Sequence, residues 1–290
     1  MAKRRRWTSD RLFWNLLLWP ALIVIGGVFI YPLITTGYLS LTNYDLISPP
    51  HFVGLQNFVN MLSDEQVWNS LRVTLIFSAV SLGLEMLIGF GTALVLHDIG
   101  FGRNVVRTIT TIPIMLTPVV IGAIWGMMAN YDFGVFSYFT MLVGIGKIGW
   151  LTDPTLAMVL LIVSEVWQNT GFVILVLSAG LANLPVEMFE AAAIEGANFW
   201  QKLRYLTLPQ LGPIFNVVLI FRVYELLRTF DRVLTLTNGG PGRSTTTITL
   251  YIYNIAFSGY EMGYSAAVSI LLMVLTLVIC GYSIWSVRGT

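Results

Sequence analysis

Apolar residues arrive in long blocks along this chain, and polar residues collect mainly between them. Six blocks, at about 12–38, 71–96, 106–129, 155–179, 210–230 and 264–287, are each long enough for a helix to cross a bilayer core; a span takes about 20 residues. Between the first two, Leu55, Phe58, Val59 and Leu62 recur at helical spacing in a stretch too short to cross. That predicts a helix at about 55–63 lying in the membrane interface. In the third block Pro113 and Pro118 predict a bend, and Gly122 and Gly126 form a small-xxx-small pair suited to close helix contact.

The polar stretch between the fourth and fifth blocks is different in kind. Residues 184–213 read as helix, break, helix. Pro185 suits a first helical turn, Glu187 and Glu190 suit its dipole, and Ala191, Ala192 and Ala193 are strong helix formers with almost no bulk. Gly196 supplies the stop. A second short helix is predicted from about Asn198 to Tyr205, with Pro209 and Pro213 opening the next element. The alanine run leaves a face on which another protein can approach the backbone closely.

Composition fixes the solvent. The chain is 56% hydrophobic and 11% charged, with mean hydropathy +0.76, whereas a soluble domain carries about 25% charged residues. The expected fold class is therefore an all-α integral membrane protein with six transmembrane helices. Lys3 to Arg6 and Arg11 precede the first block, which is too long for a signal-peptide core and is closed by no cleavage pattern. It reads as a retained span after a basic N-terminal segment, residues 1–11. Placing both termini in the cytoplasm puts basic positions 3–6, 11, 103, 107, 202, 204 and 288 inside, against 72, 147, 222, 228, 232 and 243 outside or in the membrane. This bias agrees with the positive-inside rule and sets the 184–209 stretch in the cytoplasm.

Net charge of +1 argues against nucleic acid. The single Cys280 excludes a disulfide within the chain, and His51 and His97 belong to no metal-spaced cluster. Gly144-Ile145-Gly146-Lys147 lacks the spacing of a phosphate-binding loop, so no nucleotide site, cofactor or catalytic set is expected in this chain.

Charges do occur within the blocks: Glu85, Glu165, Arg222, Glu225 and Arg228. Facing lipid, each costs about 2.5–3.5 kcal/mol at a helix centre, so they face protein or a wet cavity. Arg222, Glu225 and Arg228 share roughly one side of the fifth block. They are either an ion-paired network that holds helices together or groups presented to a polar solute. Glu165, Gln168 and Asn169 need partners in the fourth block. Amides, carboxylates and aromatic rings together match a carbohydrate, whose hydroxyls donate and accept around apolar ring faces. The candidate pathway residues are thus Glu165, Gln168, Asn169, Arg222, Glu225 and Thr229, with Trp125 and Trp167 as stacking groups; Glu85 reads as structural.

Glu190-Ala191-Ala192, three residues, Gly196, nine residues, then Leu206-Thr207-Leu208-Pro209 resembles the EAA loop of ABC importer permeases, with Leu206 in place of the usual Ile. FVGLQNF from Phe52, IPIMLTPVVIGAIW from Ile112 and TNGGPGRSTTTITLYIYNIAF from Thr237 resemble segments of the sugar-type members, the maltose and glycerol-3-phosphate permease-like class. The resemblance implies a single transmembrane permease domain over 12–290 in a bacterial or archaeal plasma membrane. It implies a second permease subunit, two ATPase subunits that carry the ATP and Mg, and an extracytoplasmic solute-binding protein. It assigns ATPase coupling to Glu190, Ala191, Ala192, Ala193, Gly196, Leu208 and Pro209. The rival expectation is a secondary transporter in which Glu85, Glu165 and Glu225 titrate against an ion gradient.

Overall fold

The computed structural model describes residues 16–99 and 102–288. Lys3 to Arg6, Arg11, the start of the first block at 12–15, and Gly100 lie outside the described residues. The regular elements among the described residues are all helices, with one isolated antiparallel bridge, Thr42 to Phe52. Among the described residues, five helices are long and apolar enough to cross a membrane, or six if one sharply bent pair counts as one span.

The chain divides into two compact units, 1–64 with 252–272, and 65–251 with 273–290. In the first, α1 spans Leu16–Leu39 and buries none of its apolar window within the chain. A loop follows, and then α2, Gln56–Ser63, the short helix expected at about 55–63. Asn57 ties the loop down, donating to the carbonyls of Ser40 (2.9 Å) and Thr42 (2.8 Å). Asp45 accepts from the backbone of Ser48 and Ile47, and those bonds hold its carboxyl below the ordinary range.

The second unit contains α3 (Glu65–Asp98), α4 (Arg103–Thr111), α5 (Pro118–Met128), α6 (Val135–Leu142), α7 (Pro154–Leu181) and α8 (Val186–Ile194). After them come α9 (Phe199–Lys202), α10 (Leu208–Leu227), α11 (Asp231–Leu236) and α12 (Ile248–Tyr253). The last helix, α13 (Met262–Arg288), belongs partly to each unit. α7 is the centre of this unit: one core packs Leu160, Leu161 and Val166 with Phe77 and Leu226, and another packs Val173, Leu177 and Leu181 with Ala93 and Leu211. Glycine permits the closest approach of α3 and α7, where a Cβ at Gly89 would stand 2.6 Å from Val173 Cγ1.

Two expectations are refined by the structure. The bend expected in the third block is a sharp one: α4 with the short 3-10 turn Ile112–Met115 meets α5 at 97°, as a broken span or a re-entrant loop does. Pro118 has no N–H to continue the ladder, and Gly171 of α7 lets the Thr110 carbonyl come into direct contact, so the first arm is anchored apart from the second. Gly122 and Gly126 do mediate close contact, with Thr235 and Leu236 of α11.

The second concerns Pro209, which stands in the first turn of α10, and Pro213, which lies inside it; neither interrupts the chain's helical path. Phe199–Leu227 is one continuous rod, in which the π-turn Leu203–Thr207 immediately precedes Leu208-Pro209. The same arrangement occurs in α1, where the π-turn Gly26–Ile30 precedes Tyr31-Pro32. A proline ring collides with the carbonyl four residues back in a regular helix. The wider turn, closed by Leu208 N–H on the Leu203 carbonyl and by Tyr31 N–H on that of Gly26, relieves that collision without ending the helix.

Candidate functional site

A buried ionic cluster lies where α3, α7, α10 and α11 meet. Arg222 from α10 is its hub, 1% exposed. Its Nε donates to Glu85 Oε2 at 2.7 Å and its Nη2 to Glu85 Oε1 at 2.8 Å, a fork on a carboxylate that is itself fully buried. Nη2 also reaches Glu165 Oε1 at 2.6 Å, and Nη1 donates to Glu225 one turn further along α10. Arg232, at the start of α11 and equally buried, brings Nη1 to 2.9 Å from Glu165 Oε2 and donates to the side-chain carbonyl of Gln168. Two guanidinium groups are therefore balanced by Glu85 and Glu165 away from solvent, as burial of charge demands.

Gln168 is spent in the same way. Its amide N–H donates to the backbone carbonyl of Leu116 at 2.7 Å. That carbonyl lies at the break between the 3-10 turn and α5, so a side chain of α7 replaces a bond the helix cannot make. Asn169 donates to Glu165 Oε1 at 2.7 Å.

Beside the cluster a cavity of about 340 Å³ is lined by Glu165, Gln168, Asn169, Arg222, Glu225 and Thr229 among others, with Pro118, Tyr224, Arg228, Asp231 and Arg232 completing the wall. The six polar candidates read from the sequence thus come together around one space. Trp125 and Trp167 do not line it. Their rings pack tilted at 56° with centroids 5.9 Å apart, in an aromatic row that continues to Phe136 and Trp150. The groups still open to a guest are the half-exposed Glu225 carboxylate, Asn169, Thr229, and Arg228, whose guanidinium lies 4.9 Å from the Tyr224 ring centre. Donors, acceptors and one aromatic face are a suitable lining for a hydrated polyol.

Arg232 and Tyr224 went unremarked in the sequence. Phe230-Asp231-Arg232 reads as a chain leaving the fifth block. The available signal was that Arg232 leads Val233, Leu234 and Leu236, apolar positions at helical spacing.

The second candidate region is α8 and its exit. α8 ends as the glycine predicts: Gly196 has φ +82°, its N–H donates to the Ala193 carbonyl at 3.1 Å, and Ala197 N–H donates to that of Ala192 at 2.9 Å. This paired closure demands a left-handed residue. Asn198 then starts the next helix, exchanging bonds with Gln201 in a reciprocal cap. Glu190, Ala191 and Ala193 are exposed and Ala192 is half-buried; Leu208 and Pro209 lie on the exposed surface of the following rod.

Comparison with known proteins gives one answer. The family described as binding-protein-dependent transport system inner membrane component matches residues 71–285. A probable ABC transporter permease of Sinorhizobium fredii is 36% identical over 98% of this chain and 92% of its own length. The trehalose/maltose transport system permease protein MalF of Thermococcus litoralis is 37% identical over 90% of this chain and 89% of its own. A bacterial ABC transporter involved in import of the acidic polysaccharide alginate contains a chain that superposes with a TM-score of 0.84, at 25% identity over 99% of both chains.

Proposed function

Because the chain belongs to the family of binding-protein-dependent transport inner-membrane components, we propose that it is a membrane subunit of an ATP-driven importer of a sugar or sugar-derived solute. The match over 71–285, which takes in both the ionic cluster and the helix–break–helix island, carries this reading. The subunit sits in a bacterial or archaeal plasma membrane beside a second permease subunit. Two ATPase subunits on the cytoplasmic face hold the ATP and Mg, and an extracytoplasmic binding protein delivers the solute. This chain hydrolyses nothing itself.

α8 is the part gripped by the ATPase. Glu190 faces a basic group of that subunit, Ala191 to Ala193 admit its cleft, and Gly196 makes the turn. Leu208 and Pro209 lie early on the rod that begins at Phe199 and reaches Arg222 and Glu225 without interruption. A pull on the island is thus passed along one stiff element to the cavity wall.

The solute reading favours a neutral polyol. Arg222 is engaged by three carboxylates, and Arg232 faces Glu165 and donates to Gln168 although its Nε and Nη1 hydrogen-bond nothing among the described residues; both are buried, which leaves Arg228 as the exposed cavity cation. The same pairing disfavours an ion-driven mechanism, since Glu85 and Glu165 are already committed to arginine.

The test is Gly196→Val. No heavy atom lies within 4 Å of the added Cβ, so the change acts through the left-handed backbone alone, at a cost of about 1–2 kcal/mol. The variant is expected to insert in normal amount and to lose ATP-dependent uptake. Normal uptake at normal abundance refutes the coupling role of the island.

A further inference from the structure

Beneath α8 lies a second cavity, of about 460 Å³, separate in its lining from the one beside the ionic cluster. Leu94 and His97 close it from α3, Leu181 from α7, Val186 and Phe189 from α8, and Phe199, Lys202 and Leu203 from the root of the rod. Val186 and Phe189, three residues apart, share the face of α8 turned to this space; Glu187, Ala191 and Ile194 share another.

Three observations identify its occupant. The first is position. His97, Leu181 and Phe199 are the terminal residues of three helices long and apolar enough to span, so the cavity opens where acyl chains meet headgroups. The second is charge. The apolar lining carries two basic side chains and no acidic one, and neither His97 nor Lys202 has an ion pair among the described residues. The third is the rim. Trp200 and Tyr205 are 72% and 68% exposed beside it, with Arg204 over the Tyr205 ring at 5.8 Å, the amphipathic aromatics and cation of an interfacial belt. Basic pockets between span ends are where anionic headgroups bind.

We propose that this cavity is a binding site for one anionic phospholipid, its acyl chain among Leu94, Leu184, Phe189 and Leu203 and its phosphate at Lys202 and His97. A lipid seated there supports the inner face of α8 while the outer face remains free. The inference does not depend on which solute is moved or how.

The experiment uses the protein in its native assembly, reconstituted in nanodiscs with a phosphatidylglycerol carrying a photoactivatable acyl chain, and maps the labelled peptides. Label is expected within 184–203. Unlabelled phosphatidylglycerol should displace it at least about fivefold better than phosphatidylcholine, the factor one basic contact supplies. Lys202→Gln combined with His97→Gln should abolish that preference, while Lys202→Arg keeps it and reports intact folding. Leu184→Trp, which fills the space, should remove the label. Equal displacement by both lipids, label confined to other surfaces, or unchanged labelling of Leu184→Trp each overturns the site. None of these readouts is uptake, so failure here is distinct from failure of the transport reading.

Discussion

Arg222 is the residue on which the charge balance of the membrane interior turns. Its guanidinium makes four hydrogen bonds, two to Glu85 in a fork and one each to Glu165 and Glu225. A buried ion pair adds little net stability over a well-packed apolar pair, but removing one partner strands the other. Arg222→Met leaves Glu85 uncompensated and is expected to destabilise the folded protein by about 3–5 kcal/mol. Thermal unfolding in detergent measures this, and the double variant Arg222→Met with Glu85→Gln should recover part of the loss. Arg222→Lys should not rescue, because an ammonium cannot reproduce the fork. Unchanged melting of Arg222→Met would show that the cluster is not what holds these helices. The polar triad Glu165, Gln168 and Asn169 was legible as needing partners, because hydrocarbon supplies none. The partners were not legible: the Leu116 carbonyl is 52 residues from Gln168, and Arg222 is 57 from Glu165. Only the folded path of the chain brings them together.

At the scale of elements, prolines and glycines act through what surrounds them. Pro113 and Pro118 announced a bend, yet its size comes from packing, with Gly171 letting the Thr110 carbonyl onto α7 and Gln168 capping Leu116. Pro209 announced a start that a π-turn absorbs. Gly196 could be read outright, because a helix stop by a left-handed residue is a local matter and needs no distant partner. A test follows from the first case. In Gly171→Leu the added Cβ falls on the Thr110 carbonyl, backbone that cannot swing aside, and comes against the tip of the Ile114 side chain. Overpacking of this kind costs about 1–3 kcal/mol. Limited proteolysis should show faster cleavage near the α4–α5 break in this variant than in Gly83→Leu, where a Cβ meets nothing within 4 Å. Equal protection of the two would separate the break from α7.

For the whole molecule, the proposed function separates motor from gate. The rod from Phe199 to Leu227 carries the island at one end and the ionic hub near the other. Glu85 and Glu165 are bound to buried arginine, so neither is free to carry protons inward. Under the proposed function, this gate moves only when something outside the chain does work on it. In proteoliposomes this subunit alone should therefore move no solute. The assembled transporter should do so with ATP supplied on the face where a cysteine at Ala192 is labelled, and an uncoupler should leave that uptake intact. Ala192→Cys tests sidedness directly, since the residue is half-buried on a helix whose neighbours are exposed and a small maleimide can reach it. Labelling from the binding-protein face only, or uptake by the lone subunit, would require the island to be something other than a lever, and the excess of basic residues near it to have misassigned its side of the membrane.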